Sequence, residues 1–283
     1  MNYPTAPTHG LANAFTVDVE DYFHVSAFER HIARAAWEQQ PQRVEASTNR
    51  LLELLARHQV VGTFFTLGWV AERQPRLMRA IVAGGHELAS HGYDHTRVTQ
   101  MGPEEFRADV TKTKLMLEDL TGTEVIGYRA PTFSFTRSNA WAYPILAESG
   151  YRYSSSVAPM KHDLYGIPDA PRHAYCDASG IIEIPLSTIK VAGTNLPCGG
   201  GGFFRLYPYR VTRWCVERVN RREGKPCIFY MHPWEIDPDQ PRQTRLGFKT
   251  RFRHYLNLDR VHDRLEQLLR DFAWNRMDRI FLT

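Results

Sequence analysis

The sequence predicts an α/β fold in which parallel strands alternate with helices, arranged as a barrel or as a doubly wound sheet. Three observations predict it. Runs rich in β-branched and aromatic residues alternate with segments of helical period in about seven β/α units. Ionisable residues follow several of the β-rich runs. In parallel α/β folds, active groups lie at the carboxyl ends of the strands. The composition, 43% hydrophobic and 23% charged, is that of a globular protein.

The elements follow one another regularly along the chain. Gly84 and Gly85 end one predicted helix and Gly122 ends another, as helix stop signals do. Residues 159–185 and 233–258 are less regular, and we expect them to form long loops on the rim. The predicted strands are 14–19, 62–67, 86–90, 125–129, 151–155, 181–187 and 227–231. The predicted helices are 44–58, 75–83, 103–121, 139–149 and 208–223.

The net charge, the cysteine content and the first residues indicate which partners and which compartment to expect. The net charge of +4 and the lack of a Lys/Arg run predict no nucleic-acid binding. Four cysteines without C-x-x-C spacing predict no disulfide framework and a reducing compartment. The first residues lack a secretory pattern and no apolar run is long enough to span a membrane, so we expect a soluble, cytoplasmic chain of open oligomeric state.

The segment 90–95 carries the strongest chemical signal. His91 and His95 stand four residues apart beside Gly92, a spacing that suits two ligands of one divalent metal. Two neutral imidazoles suit zinc especially well. In a chain with 12 histidines, an isolated pair of this kind is equally consistent with a turn on the surface. The pair therefore calls for a third, anionic ligand.

The strand at 14–19 supplies candidate carboxylates. Asp18 and Glu20 are two residues apart and point to the same face of a strand, so one can bind metal while the other takes a proton. Without the histidines, both would be read as solvated acids at a strand end. Arg129, which ends another strand, could hold a catalytic carboxylate ionised, or it forms a structural salt bridge.

Two further features flank this set. His232 ends a very apolar strand and is placed for proton transfer, with a buried core histidine as an equal alternative. The glycines at 199–202 lack a following K-[ST] and a strand-to-helix context, so the pattern favours a tight or mobile loop beside the site over a phosphate loop. Aromatic side chains near these segments could stack on sugar rings, although each one alone is more typical of the core. They are Tyr22, Phe23, Tyr128, Phe133, Phe135 and Trp234.

Taken together and in this order, these segments resemble those of polysaccharide deacetylases with a NodB-type domain, carbohydrate esterase family four. The resemblance covers about residues 14–232, and a closer one, including residues 17–24 and 232–235, links the chain to the subfamily of exosortase-associated exopolysaccharide loci. The motifs are Thr16-Val17-Asp18-Val19-Glu20, Ser90-His91-Gly92-Tyr93-Asp94-His95, Arg129-Ala130-Pro131 and Tyr230-Met231-His232.

The resemblance implies a single-domain deformed (β/α)7 barrel at 14–232 with a C-terminal helical extension, 233–283, packed on it. It implies a divalent metal, usually Zn²⁺ with Co²⁺, Ni²⁺ or Mn²⁺ as alternatives, and removal of acetyl groups from N-acetylhexosamine residues of a polysaccharide or oligosaccharide. The implied metal ligands are Glu20, His91 and His95, and the implied catalytic residues are Asp18, Arg129 and His232. The expected substrate contacts are Tyr22, Tyr128, Pro131, Phe133 and Trp234.

The chain departs from the family pattern at two motifs. Val19 stands where the family has a second aspartate, so the metal-binding carboxylate moves to Glu20 or Asp21, and the one-residue spacing of some members favours Glu20. The aspartate of the fourth motif, expected near residues 154–156, is replaced by serines. Two other functions stay open: metal-free hydrolysis of a small C–N substrate such as a ureide, and non-catalytic glycan binding within an exopolysaccharide assembly system.

Overall fold

A computed structural model describes residues 11–163, 165–244 and 246–282. The first ten residues, on which the expectation of a chain without a secretory segment partly rests, lie outside the described residues. No helix in the described part of the chain is long and apolar enough to cross a membrane. All four cysteines are free thiols, as the sequence predicts.

A sheet with seven parallel strands forms the centre of the molecule. Its order is β10-β1-β2-β3-β4-β5-β7, with β6 antiparallel at one edge and β11 paired with the start of β1, while β8 and β9 form a separate hairpin. The strands are β1 (Asn13–Val19), β2 (Thr63–Thr66), β3 (Glu87–Ser90), β4 (Gly127–Tyr128), β5 (Tyr153–Ser154), β6 (Tyr175–Cys176), β7 (Ile182–Glu183), β8 (Thr188–Val191), β9 (Thr194–Pro197), β10 (Ile228–Met231) and β11 (Trp274–Asn275).

Helices connect the parallel strands, and the sheet curls as a half barrel within one domain. The predicted α/β class and deformed barrel are therefore confirmed. The helices are α1 (Val44–Arg57), α2 (Gly68–Arg73), α3 (Pro75–Ala83), α4 (Pro103–Thr121), α5 (Ala142–Glu148), α6 (Gly201–Leu206), α7 (Tyr209–Glu223), α8 (Phe248–Tyr255), α9 (Val261–Asp271) and α10 (Met277–Phe281).

Strand β1 is an interior strand of the sheet, next to β10 at one end, and every one of its residues is buried. A parallel sheet is covered on both faces, so its strands lack the polar, solvent-facing side that an antiparallel strand often has. Its backbone pairs with β10 on one side and β2 on the other. The carboxyl end of β1 therefore opens between the ends of two neighbouring strands, which is where its acidic residues emerge.

Helix boundaries follow local chemistry. Helix α4 begins at Pro103, whose missing N–H costs nothing in the first turn, and ends at Gly122, whose φ of 67° an alanine would resist. Helix α1 begins at Val44 because the carboxylate of Asp21 accepts hydrogen bonds from the backbone N–H groups of Arg43 and Val44, at 2.6 and 2.9 Å.

The C-terminal residues pack on the barrel. Trp274 in β11 contacts the rings of Phe15 and Phe229 edge-on, and the backbone N–H of Met277 donates to Thr63 Oγ1 at 2.8 Å. Helix α9 buries Val261 and three leucines in the main hydrophobic core. These contacts join the C-terminal elements to the core that β1 and β10 form.

Several elements were not predicted. The glycines at 199–202 were expected to form a tight or mobile loop, whereas α6 begins at Gly201. Glycine has low helix propensity, so the sequence pattern hides this helix. Gly200 has a φ of 114°, and a Cβ there would lie 2.0 Å from Tyr230 O, so glycine allows the chain to run against β10. Helix α8 and β6 lie in the two segments expected to be loops.

Candidate active site

Glu20, His91 and His95 lie together at the carboxyl end of the sheet. Glu20 follows β1, and both histidines follow β3, two strands away. Each offers one ligand atom, and the three atoms lie within 4.8 Å of one another. Glu20 and His91 are buried, and the side chain of His95 is 8% exposed. The structure thus brings together the three residues that the sequence predicts as metal ligands.

The state of these donors fits a divalent ion. Nδ1 of His91 lies 2.8 Å from the backbone carbonyl of Arg129, so it carries the proton and leaves Nε2 free to bind metal. Burial lowers the pKa of His91 to about 4, which keeps the ring neutral at pH 7. Oε2 of Glu20 is buried and lies 3.0 Å from Nε2 of His95, so the carboxylate faces the imidazole directly. One carboxylate and two histidine imidazoles are a donor set typical of zinc sites.

Asp21, the alternative carboxylate, is occupied elsewhere. Its Oδ2 caps α1, and its Oδ1 accepts the backbone N–H of Tyr22 at 2.9 Å. Burial raises the pKa of Asp21 to about 6, against the effect of these hydrogen bonds. Its carboxylate is therefore committed to the start of a helix, whereas that of Glu20 faces the two histidines.

Asp18 and Arg129 form a buried ion pair next to this cluster. Arg129 Nη1 lies 2.6 Å from Asp18 Oδ1 and also donates to Thr16 Oγ1 at 2.9 Å. Its Nη2 and Nε donate to the hydroxyl and the carbonyl of Ser155, and the guanidinium lies over the ring of Phe65 at 4.0 Å. Arg129 has no exposed surface, so its side chain is fixed and holds Asp18 in one orientation.

The serines at 154–156 have a structural role here. Ser155 binds the guanidinium of Arg129, and Ser156 Oγ accepts the backbone N–H of Ala130 at 2.8 Å. The serines that replace the aspartate of the family's fourth motif therefore position the strand end that carries Arg129.

His232 lies between two carboxylates. Its Nδ1 is 2.9 Å from Glu235 Oε1, and its Nε2 is 3.5 Å from Glu20 Oε1. Burial alone would lower the pKa of His232, but the hydrogen bond to Glu235 and the nearby negative charges raise it to about 9. This raised pKa favours the protonated ring, which can donate a proton.

Glu235 and Arg205 are the site residues that the sequence reasoning missed. Glu235 lies in the 3-10 turn Pro233–Ile236, and its other oxygen is 2.7 Å from Arg205 Nε in α6. A carboxylate three residues after a histidine at a strand end could have signalled the first contact. No local pattern could signal Arg205, because it lies 30 residues away in the chain.

The structure places the predicted substrate contacts unevenly. Tyr22 and Tyr128 are 0% and 1% exposed and lie in the core, so their rings offer no face to a sugar. Trp234 is 4% exposed and stacks between His232 and His254. Pro131 and Phe133 belong to a short turn after β4 in which Thr132 and Phe133 have φ of 58° and 48°, a strained conformation often found at functional sites.

Comparisons with known proteins divide the chain into two matched parts. Residues 35–154 match the family described as polysaccharide deacetylase, and residues 155–282 match a domain of unknown function, DUF3473. A chitooligosaccharide deacetylase of Bradyrhizobium sp. (strain ANU 289) is 38% identical over 190 residues, which cover 66% of this chain and 77% of that protein.

Other relatives match over shorter regions. The peptidoglycan deacetylase of Helicobacter pylori is 30% identical over 113 residues, 40% of this chain and 38% of that protein. The chain thus spans about a third of the length of the first curated relatives it matches, 38% and 34% for two of them. A solved structure of a candidate polysaccharide deacetylase from Mycobacterium smegmatis superposes on this chain with a TM-score of 0.63 at 22% identity. The superposition covers 98% of this chain and 93% of that chain, so the two proteins share a fold.

Proposed function

Because the chain belongs to the polysaccharide deacetylase family, we propose that it is a metal-dependent hydrolase that removes N-acetyl groups from N-acetylhexosamine residues of a bacterial exopolysaccharide or its precursor. The observation that carries the proposal is the cluster of Glu20, His91 and His95 beside the Asp18–Arg129 ion pair and His232. Relatives named for the deacetylation of chitooligosaccharides and peptidoglycan support an N-acetylglucosamine unit in the substrate.

Glu20, His91 and His95 would hold the metal, with Zn²⁺ the ion that this donor set suits best. When bound, such an ion acts as a Lewis acid toward the acetyl carbonyl and makes a nearby water more acidic. His91 is prepared for this role because the carbonyl of Arg129 fixes its tautomer.

Asp18 would take a proton from the attacking water, and Arg129 keeps its carboxylate ionised and aimed. The water oxygen then forms a bond to the acetyl carbon, and a backbone N–H in the turn Pro131–Phe133 would stabilise the charge that develops on the carbonyl oxygen. His232 would donate a proton to the amide nitrogen as the C–N bond breaks, which leaves acetate and a free amine. Glu235 accepts the Nδ1 proton of His232 and so directs Nε2 toward the site.

We also propose that the barrel at 14–232 carries this chemistry and that residues from 233 onward form an extension that supports it. The pairing of β11 with β1 supports this division of roles. Arg205, which binds Glu235, also donates from Nη1 to the backbone carbonyl of His254 at 2.6 Å. This hydrogen bond links the extension to the side chain that holds Glu235.

The experiment that tests the function is incubation of the zinc-loaded protein with N-acetylglucosamine oligomers, with acetate and free amino groups measured in the same samples. We expect the two products in equal amounts. Acetate without free amine would indicate O-deacetylation, and oligomer binding without acetate would indicate a glycan-binding protein. Activity of metal-free protein on a ureide would point to the amidohydrolase alternative. Each of these results would contradict the proposal.

A further inference from the structure

A small cavity lies next to His95, between the segment that links β1 to α1 and the loop after β3. The cavity has a volume of about 30 Å³, more than the roughly 10–15 Å³ that a single buried water needs. Residues 21–43 supply most of its wall, and the loop after β3 supplies the rest. Its lining includes Phe23, His24, Ile32, Trp37, Asp94 and His95.

His24 presents a hydrogen-bond donor with no acceptor. The ring is 3% exposed, and its Nδ1 accepts the backbone N–H of Asp21 at 2.8 Å. Because Nδ1 accepts, the neutral ring must carry its proton on Nε2. Nε2 is buried and has no hydrogen-bond partner within the described ranges of the chain.

Trp37 also lines the cavity, and its side chain carries a second buried donor without a partner in the described part of the chain. Its side chain is 5% exposed, and an indole nitrogen can only donate. Nε1 of Trp37 is buried and likewise has no partner among the residues that the structure describes. The ring centroids of His24 and Trp37 are 4.4 Å apart, so the two donors belong to one small region. Two buried donors without acceptors are costly to leave unpaired, which indicates that an oxygen atom enters here.

The charges around the cavity are already paired. Arg34 Nη1 lies 3.1 Å from Asp94 Oδ2, and Arg97 Nη2 lies 3.1 Å from Glu29 Oε2. The two donors come from neutral rings, and the other uncharged lining residues are Phe23, Ile32 and Ser26, whose hydroxyl pairs with Thr132 Oγ1 at 2.7 Å. An uncharged acceptor therefore fits better than a carboxylate, because no free cation on this wall would balance an anionic group.

We propose that this cavity, the His24–Trp37 pocket, is a substrate subsite that receives an uncharged oxygen, a hydroxyl or an acyl carbonyl, from the glycan bound at the metal cluster. The proposal rests on the proposed function for the identity of the glycan. His95 belongs to both the pocket and the metal cluster, so an oxygen in the pocket lies within one sugar residue of the scissile acetamide. The oxygen comes either from a hydroxyl of the sugar that is deacetylated or from the acyl group of its neighbour.

Nuclear magnetic resonance of the ¹⁵N-labelled indole N–H groups shows directly whether a ligand enters the pocket. The chain has six tryptophans, and Trp37→Phe identifies the resonance of Trp37 by its loss. We expect this N–H resonance to shift and saturate on titration with N-acetylglucosamine if a hydroxyl enters. It should shift only with the N,N′-diacetylated disaccharide if the neighbour's acyl group enters. A Trp37 resonance that stays still in both titrations overturns the proposal, and the pocket then holds water only.

Kinetics supply the second measurement. Trp37→Phe keeps the ring and removes the donor, so we expect KM to rise about 3- to 10-fold with kcat within about twofold of the unsubstituted protein. Trp69→Phe is the matched control, because Trp69 packs 5.6 Å from Trp37 in the same aromatic cluster but does not line the pocket. Equal thermal stability of the two variants excludes a folding defect.

The two proposals fail in different ways. If Trp37→Phe and Trp69→Phe have the same KM and acetate release is normal, the subsite is wrong and the proposed function stands. If no acetate is released but the Trp37 resonance shifts with sugar, the proposed function is wrong and the pocket still binds an uncharged oxygen.

Discussion

The carboxylate of Glu235 holds the imidazole of His232 through Nδ1 at 2.9 Å, and the same carboxylate accepts the backbone N–H of His232 at 3.0 Å. His232 caps the 3-10 turn that contains Glu235, so the histidine and its partner are only three residues apart in the sequence. Arg205 binds the remaining oxygen of Glu235 from a different helix. In this chain, a carboxylate in the turn that follows β10 orients the ring of His232, while the serines at 154–156 hold Arg129.

Replacement of Glu235 by Gln should lower kcat about 10- to 100-fold with little loss of bound metal. The amide keeps the shape of the side chain but has no charge and only one acceptor atom, so it cannot accept from both His232 and Arg205. Loss of such an orienting partner typically has this effect. The measurement is kcat with metal content determined on the same sample. Glu217→Gln, in the exposed pair with Arg213, is the control and should leave kcat unchanged. Equal kcat in both variants would rule out an orienting role.

Replacement of Asp18 by Asn should lower kcat about 10²- to 10⁴-fold, the usual contribution of a general base. It also leaves the guanidinium of Arg129 buried without its counter-charge, so thermal stability should fall as well. The metal ligands do not include Asp18, so metal content should stay the same. Loss of metal together with activity would instead place Asp18 among the ligands.

Acid should destabilise the protein through His86, which lies far from the candidate active site. Burial, aided by the charge of Arg276, lowers the pKa of His86 from 6.5 to about 4, and its Nδ1 accepts the backbone N–H of Gly62. Between these two pH values the unfolded chain binds the extra proton, so the free energy of unfolding falls as the pH falls through that window, by up to about 3 kcal/mol.

Denaturant unfolding at several pH values checks this prediction. His86→Gln should flatten the slope of stability against pH between about 6.5 and 4, because glutamine does not titrate. His262→Gln, at an exposed position, serves as the control and should leave the slope unchanged. An unchanged slope in His86→Gln would show that other groups dominate the acid response.

Replacement of Gly200 by Ala should destabilise the fold by more than about 3 kcal/mol, because strain at its positive φ adds to a clash with the backbone of β10. Gly193→Ala is the matched control, since Gly193 also has a positive φ but an added Cβ meets no atom within 4 Å. We expect that control to lose only about 1 kcal/mol. Equal losses in the two variants would show that the close approach of residue 200 to the carbonyl of Tyr230 does not affect stability.

The meeting of four ionisable side chains at one edge of the sheet could be predicted, because strand ends can be recognised locally. Asp18, Glu20, His91 and His232 each follow a short apolar run, and parallel strands bring such positions to one edge of a sheet. The bounds of α3 and α4 could also be predicted, because proline opens both helices and glycine follows both.

The remaining features depend on contacts that are distant in the chain. Tyr22 and Tyr128 look like sugar-binding residues in the sequence, because an aromatic ring has the same local signature in the core and on the rim. Arg205 lies in a helix that starts with glycines and meets Glu235 only after folding. The role of Asp21 as the cap of α1 depends on a contact across 22 residues.

Acetate release from N-acetylglucosamine oligomers, with metal content determined on the same protein, tests the central claim most directly. The protein is measured as purified, after chelation and after zinc is added back, beside His91→Ala and His232→Ala. We predict that chelation abolishes release and zinc restores it, that His91→Ala loses both metal and activity, and that His232→Ala keeps metal but loses most of its turnover. Full activity of the chelated protein or of His91→Ala would contradict the account.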